Sequence, residues 1–281
     1  MKLPILGLAA GMICASVAGA AWASDSSHGD SQASSHSGTQ SGTKTASGPV
    51  HWSYSGADGP ENWGNLSTDY EMCRSGTQQS PVDISHTQQA GLAAIDTDYR
   101  ATALNVVNNG HTIQVNYAPG SRMILGHSEY ELLQFHFHAP SENTLNGKHF
   151  DMEIHFVHKD SHGVLGVLGV FVESGDENIA LQEIWDHMPK RANSDAKPSG
   201  VVINGHDLLP REQDYYRFVG SLTTPPCSEG VQWHVLQQPI QASSSQIRDF
   251  VDVVGHNNRP VQSLGHRLMV DSAVSGGGGS H

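Results

Sequence analysis

At 281 residues with 37% hydrophobic side chains, the chain is long enough for one large domain with a real core. Only 15% of residues are charged, which excludes a solvated acidic tail as the main body of the protein. The formal net charge of −13 argues against nucleic acid and anionic membrane as partners.

Residues 1–23 begin with Lys2, run uncharged from Leu3 to Ala23 and end in Ala21-Trp22-Ala23. A basic start, an apolar stretch and small residues flanking a cleavage point are the layout of a secretory signal peptide. A retained membrane anchor is the rival, because the run is about long enough to span a bilayer. Its Ala and Gly content and its Ala-x-Ala ending favour cleavage, after which no stable membrane association is expected. Cys14 has no Leu-Ala-Gly type lipobox before it, so lipid attachment is set aside.

Residues 24–49 are mostly Ser, Gly, Thr, Gln and His, too polar to bury a core, and are expected to form a disordered spacer. His28 and His36 would allow weak metal scavenging there, but a solvated linker is the simpler expectation. Residues 274–281 carry a Gly run and are expected to be a flexible tail. Removal of residues 1–23 leaves two cysteines, Cys73 and Cys227. In an exported chain this suggests one disulfide, with two buried free thiols as the alternative.

Residues 50–273 form the predicted domain. "ALNVVNNGHTIQVNY" predicts a strand, an Asn-Asn-Gly turn and a strand. "FDMEIHFVH", "LGVLGVFVESG" and "VQWHVLQQPI" predict further strands. Helical spacing appears in "ENIALQEIWDHM", through Leu181, Ile184, Trp185 and Met188, and in "SSSQIRDFVDVV", through Ile247, Phe250, Val251 and Val254. Ser243 with Gln246 would make a capping box for the second. The expected architecture is a single, mainly β domain with short peripheral helices and no internal repeat.

"QFHFHAPSE" carries the first chemical signal. On a strand His136 and His138 share one face, and Phe135 and Phe137 share the other. Two imidazoles in one space are two thirds of a catalytic zinc site, which needs three ligands and an open position. "MEIHFVH" offers His155 and His158, which lie three apart and so on opposite faces. His155 shares its face with Glu153 and Val157, and would meet the first pair if the two strands were neighbours. Gln134 and Glu153 each precede a candidate ligand by two residues and suit its second ring nitrogen. His127, His149, His158 and His162 are expected at the surface or in a layer behind. On these residues alone, a metal site and a set of satisfied strand histidines both stand.

The stretches "HWSYSGADGPENW", "QQSPVDI", "NNGHTIQV", "QFHFHAPSE", "MEIHFVH", "GVLGVFV", "GSLTTPPCSEGVQWHVL" and "NNRPVQ" occur in that order from His51 to about Met269. Together they closely resemble the α-class carbonic anhydrases of bacterial, exported type. The resemblance implies a large, twisted, mostly antiparallel central sheet, a Cys73–Cys227 disulfide, and one Zn2+ per chain held by His136, His138 and His155. It implies reversible hydration of CO2 to bicarbonate and a proton by a zinc-bound hydroxide, in the periplasm or outside the cell.

Residue by residue, the resemblance makes Thr223 the acceptor of the hydroxide proton, passing its own to Glu142. It makes Thr224 a bicarbonate contact, and Val157, Val167, Leu222 and Trp233 the wall beside CO2. It makes His111 the proton shuttle, with Tyr54 and Asn109 ordering its waters. Two positions depart from the family: Asn143 replaces a usual histidine and Phe218 a common tyrosine, both expected near Glu153. Their joint change would leave an apolar pocket there or retune His155. A catalytically silent binding module and a periplasmic zinc-storage protein are the competing readings; the presence of all three histidines, Glu142 and Thr223 argues against silence. Bacterial relatives are often homodimers, but no residue here identifies an interface.

Overall fold

The computed structural model describes residues 50–272. The expected signal peptide, spacer and tail, with Cys14, His28 and His36, lie outside the described residues. Thirteen strands join in one sheet. Its main path runs from Ser194–Ala196 through Val106–Asn108, Ile113–Asn116, Ser128–His138, Met152–Lys159, Leu165–Ser174, Glu229–Leu236, Tyr215–Ser221 and Val270–Ser272 to Gln88–Ala90.

Neighbours joined by short turns pair antiparallel, as Val106–Asn108 does with Ile113–Asn116 across the predicted Asn-Asn-Gly turn. Leu165–Ser174 lies parallel to Glu229–Leu236, because a long crossover separates them in sequence. The sheet is therefore mostly antiparallel, as expected.

Strand alternation sorts the side chains into two layers. Phe135, Phe137, Ile154, Phe156, Leu168 and Val170 point to one side and are buried in the larger apolar cluster. Two helices close that side. Helix Ile179–Trp185 buries Leu181, Ile184 and Trp185, and Asn178 caps it by accepting from the Leu181 N–H. Helix Ser244–Val254 buries Phe250 and carries the expected capping box between Ser243 and Gln246. The Trp185 ring lies 4.7 Å from Phe137 and stacks on Phe250 at 5.8 Å. Both helices were legible from spacing, although Met188 sits in the turn beyond the first, just ahead of Pro189, and is buried all the same. Two one-turn helices, Trp63–Leu66 and Met72–Ser75, are too short to show a period. The opposite side of the sheet carries Val167, Phe171, Phe218, Val231 and Trp233.

Cys73 and Cys227 are joined in a disulfide across 154 residues of sequence. Closing a loop of that length is worth up to about 5 kcal/mol on a chain-entropy model. Mature protein, without residues 1–23 and so without Cys14, is expected to show no free thiol by Ellman titration, and its Cys73→Ser, Cys227→Ser variant should melt about 5–10 °C lower. Two titratable thiols in native protein would rule the pairing out.

Candidate metal centre

Strand register assembles the centre. His136 pairs directly with His155, and His138 with Glu153, across neighbouring antiparallel strands. Paired residues point to the same side, so His136, His138, His155, Gln134, Glu153 and Val157 share one face. One donor nitrogen from each of His136, His138 and His155 lies within 4.8 Å of the others. Among the described residues, this is the group of histidine, cysteine and carboxylate side chains able to enclose a metal ion.

The outer contacts decide which nitrogen each ring offers. His136 Nδ1 lies 2.8 Å from Gln134 Oε1, and His138 Nδ1 lies 2.8 Å from the Asn257 carbonyl. A carbonyl oxygen only accepts, so each Nδ1 carries the proton and each Nε2 is bare. His155 is turned the other way: its Nε2 lies 3.0 Å from Glu153 Oε1, close but off the line of a good hydrogen bond, and its Nδ1 lies 3.8 Å from Glu142 Oε2, the oxygen that His138 Nε2 also approaches. Burial holds the His138 imidazole down to about 4, against the raising effects of the Asn257 carbonyl and Glu153; desolvation first, and then neighbouring imidazoles, hold His136 and His155 well below the ordinary range. Neutral rings are the ligating form.

His138 Nε2 is buried and has no hydrogen-bond partner among the described residues, and neither has Glu142 Oε2, 3.6 Å away. Unpartnered buried polar atoms are costly, and a cation bound by the imidazoles would satisfy this nitrogen. Burial also pushes the carboxyls of Glu142 and Glu153 up to about 8 and about 7. A divalent positive charge beside them would offset that. Three imidazoles are a zinc-type donor set, and the residues present fit the ion.

The remaining expected site residues fall into two groups. Tyr54, Asn109, His111, Gln134, His136, His138 and Thr224 line one cavity of about 130 Å³. Val157 pairs with Val167, and Val167 with Trp233, making an apolar row across three strands; Leu222 packs against the same cluster. The Trp233 ring meets His155 edge-on at 4.9 Å. Glu142 is fully buried, with Oε1 accepting from the Arg259 N–H at 2.9 Å, and the Thr223 hydroxyl faces the same carboxylate.

Several details differ from the expectations. Asn109 Oδ1 accepts from the backbone N–H of His111 and of Thr112, so this side chain first builds the turn that carries His111. Of the two places expected for His158, it takes the layer behind and not the surface: it is fully buried on the side opposite the candidate ligands, its Nε2 2.7 Å from the Tyr99 hydroxyl. The register shifts between Val157 and His158, yet the two still point to opposite layers. The surroundings of Glu153 are polar, not apolar, because Asn143 fills them with hydrogen-bond donors. Phe218 is buried and stacks on Trp233 at 5.8 Å.

Sequence reasoning missed Asn257 and Arg259. Asn257 offers its carbonyl to His138, while its side chain bonds Ala139 N and the carbonyls of Phe137 and His111. Arg259 presents its N–H to Glu142, and its guanidinium bonds the carbonyls of Ser80 and Cys73. The only sequence signal was their place in "NNRPVQ".

The family model for eukaryotic-type carbonic anhydrase matches residues 58–273. A carbonic anhydrase of Nostoc sp. is 43% identical over 230 residues, covering 79% of this chain and 86% of its own. One from Pectobacterium carotovorum is 42% identical over 227 residues, covering 80% and 93%. Among solved structures, the α-carbonic anhydrase of Thermovibrio ammonificans in complex with the inhibitor sulfanilamide superposes with a TM-score of 0.77. It is 47% identical, over 79% of this chain and 100% of that one.

Proposed function

The chain belongs to the eukaryotic-type, or α, carbonic anhydrase family, and on that premise we propose that it is an exported zinc enzyme hydrating CO2 reversibly to bicarbonate and a proton. The observation that carries this reading is the convergence of three neutral imidazoles, one with a buried and unpartnered Nε2. Bound there, zinc would supply a Lewis acid under which water ionises far more readily than in bulk.

The side chains around it divide the remaining work. Glu142 can only accept hydrogen bonds while ionised, so Thr223 must donate to it. The threonine oxygen is then left to accept from the nucleophile, which turns a lone pair of that nucleophile toward the carbon under attack. The row of Val157, Val167 and Trp233, with Leu222, offers apolar CO2 a dry wall. Thr224 contacts an oxygen of bicarbonate in this reading, which its presence in the cavity with His136 and His138 supports. His111, in the same cavity, takes the proton that each turnover releases. Export is supported by the disulfide and by the signal-like residues 1–23. Among the described residues, no helix is long and apolar enough to cross a membrane.

Stopped-flow CO2 hydration by native, chelator-treated and zinc-refilled protein tests the reading. Hydration should vanish with the metal and return with one zinc per chain. Stoichiometric zinc without hydration would favour a storage protein or a silent module. Hydration that survives complete chelation would remove zinc from the mechanism.

A further inference from the structure

We propose that Asn143 is a positioning residue for the metal centre, clamping the Glu153 carboxylate so that His155 presents Nδ1 to the ion. This inference rests on the zinc reading above. Glu153 is fully buried and all its neutral partners are accounted for. Its Oε2 accepts from the backbone N–H groups of Glu142 and Asn143, both at 2.8 Å. Its Oε1 accepts from Asn143 Nδ2 at 2.8 Å and stands 3.0 Å from His155 Nε2. One residue thus contacts both oxygens of the carboxylate, through its main chain and its side chain.

The orientation of the Asn143 amide is itself determined. Asn143 Oδ1 accepts from the Val82 N–H at 3.0 Å, so the NH2 group has to face Glu153. Val82 is held in turn by the short parallel pair of Asp83–Ile84 with Thr144–Leu145, and its carbonyl accepts from the Thr144 N–H. Asp83 Oδ1 fastens that pair by accepting from the Thr144 hydroxyl. Asn143 therefore relays the position of a rigid two-stranded element to Glu153, and through Glu153 to a candidate ligand.

Space on the far side of Glu153 is limited in a matching way. Gly169 pairs with His155, and a Cβ there would sit 3.1 Å from Glu153 Oε1. The carboxylate thus has one place to lie, with Asn143 on one side and the Gly169 backbone on the other. Without the amide, the two main-chain bonds remain on Oε2, but Oε1 can pivot about them. The orientation of His155 then loosens, since the second ring nitrogen of a ligand histidine is set by its outer partner.

The test is the rate at which a chelator strips zinc from the loaded protein, read by a chromophoric indicator. Loss of an outer partner of a ligand commonly weakens metal binding about 10–100-fold. Asn143→Leu and the isosteric Asn143→Asp, which keeps an acceptor for Val82, should each release zinc at least about tenfold faster than wild type. In a Glu153→Gln background the same Asn143 changes should add less than about twofold, because the route runs through Glu153. A purely structural role would lower the melting temperature of the apoprotein and speed release equally in both backgrounds. That result overturns the inference, and so does unchanged release in whichever single variants fold. Wild-type protein that holds no zinc would defeat the metal reading itself, and this inference with it.

Discussion

Protein with His155 replaced by alanine is expected to lose most of its zinc at micromolar concentration and to hydrate CO2 no faster than background. Structural zinc sites yield about 10–16 kcal/mol from four ligands. One ligand is then worth about 2.5–4 kcal/mol, or roughly 70- to 900-fold in affinity. His136→Ala and His138→Ala should behave alike, since each removes one of three converging donors. The His138 change leaves the Asn257 carbonyl short of its donor as well.

His158→Ala is the control. His158 lies three residues beyond His155, is equally buried, and bonds Tyr99 on the opposite side of the sheet. It should retain full zinc while losing about 1–3 kcal/mol of stability, because the Tyr99 hydroxyl loses its buried partner. Elemental analysis with a melting curve separates the two positions. Full zinc occupancy in His155→Ala would mean that another residue completes the site.

The three imidazoles were legible because period-two alternation assigns each to a face, and a strand pairing then sets His136 against His155. Gln134 and Glu153 were legible for the same reason, as same-face residues two positions before a ligand. Asn257 was not. Its role toward His138 is played by a backbone carbonyl 119 residues away, and every residue type has one. Arg259 acts on Glu142 through a main-chain N–H, which leaves no trace in its identity either. The contact of Asn143 with Glu153 was anticipated only as a departure from a family. Its polar consequence depends on which way an amide faces, and Val82 decides that from a distant segment. The helices over 179–185 and 244–254 showed a period, whereas the one-turn helices before residue 76 had none to show.

His111→Ala is expected to lower kcat for hydration roughly ten- to a hundredfold in dilute buffer while kcat/KM for CO2 stays within about twofold. In the proposed mechanism, bond formation uses the zinc ligands, Thr223 and the apolar row, none of which the substitution changes. Proton export is the step assigned to His111 in the proposed mechanism, and His111 lines the same cavity as His136 and His138. Burial, and then the neighbouring His51, hold the His111 pKa below its ordinary value of about 6.5. The acceptor must be neutral to take a proton, so a lowered pKa keeps it competent at pH 7. On the acid side, kcat should rise with pH through that lowered pKa and level off above it. The ring also stacks on Trp52, with centroids 3.7 Å apart and planes 7° from parallel. Alanine would remove this packing along with the base, so a second variant is needed. His111→Phe keeps an aromatic face against Trp52 but cannot accept a proton, and it should lose as much kcat as His111→Ala. Added imidazole should restore kcat in both variants by carrying the proton as a diffusible base. If His111→Phe retains wild-type kcat, or if kcat/KM falls in parallel and imidazole gives no rescue, His111 serves packing and another group takes the proton.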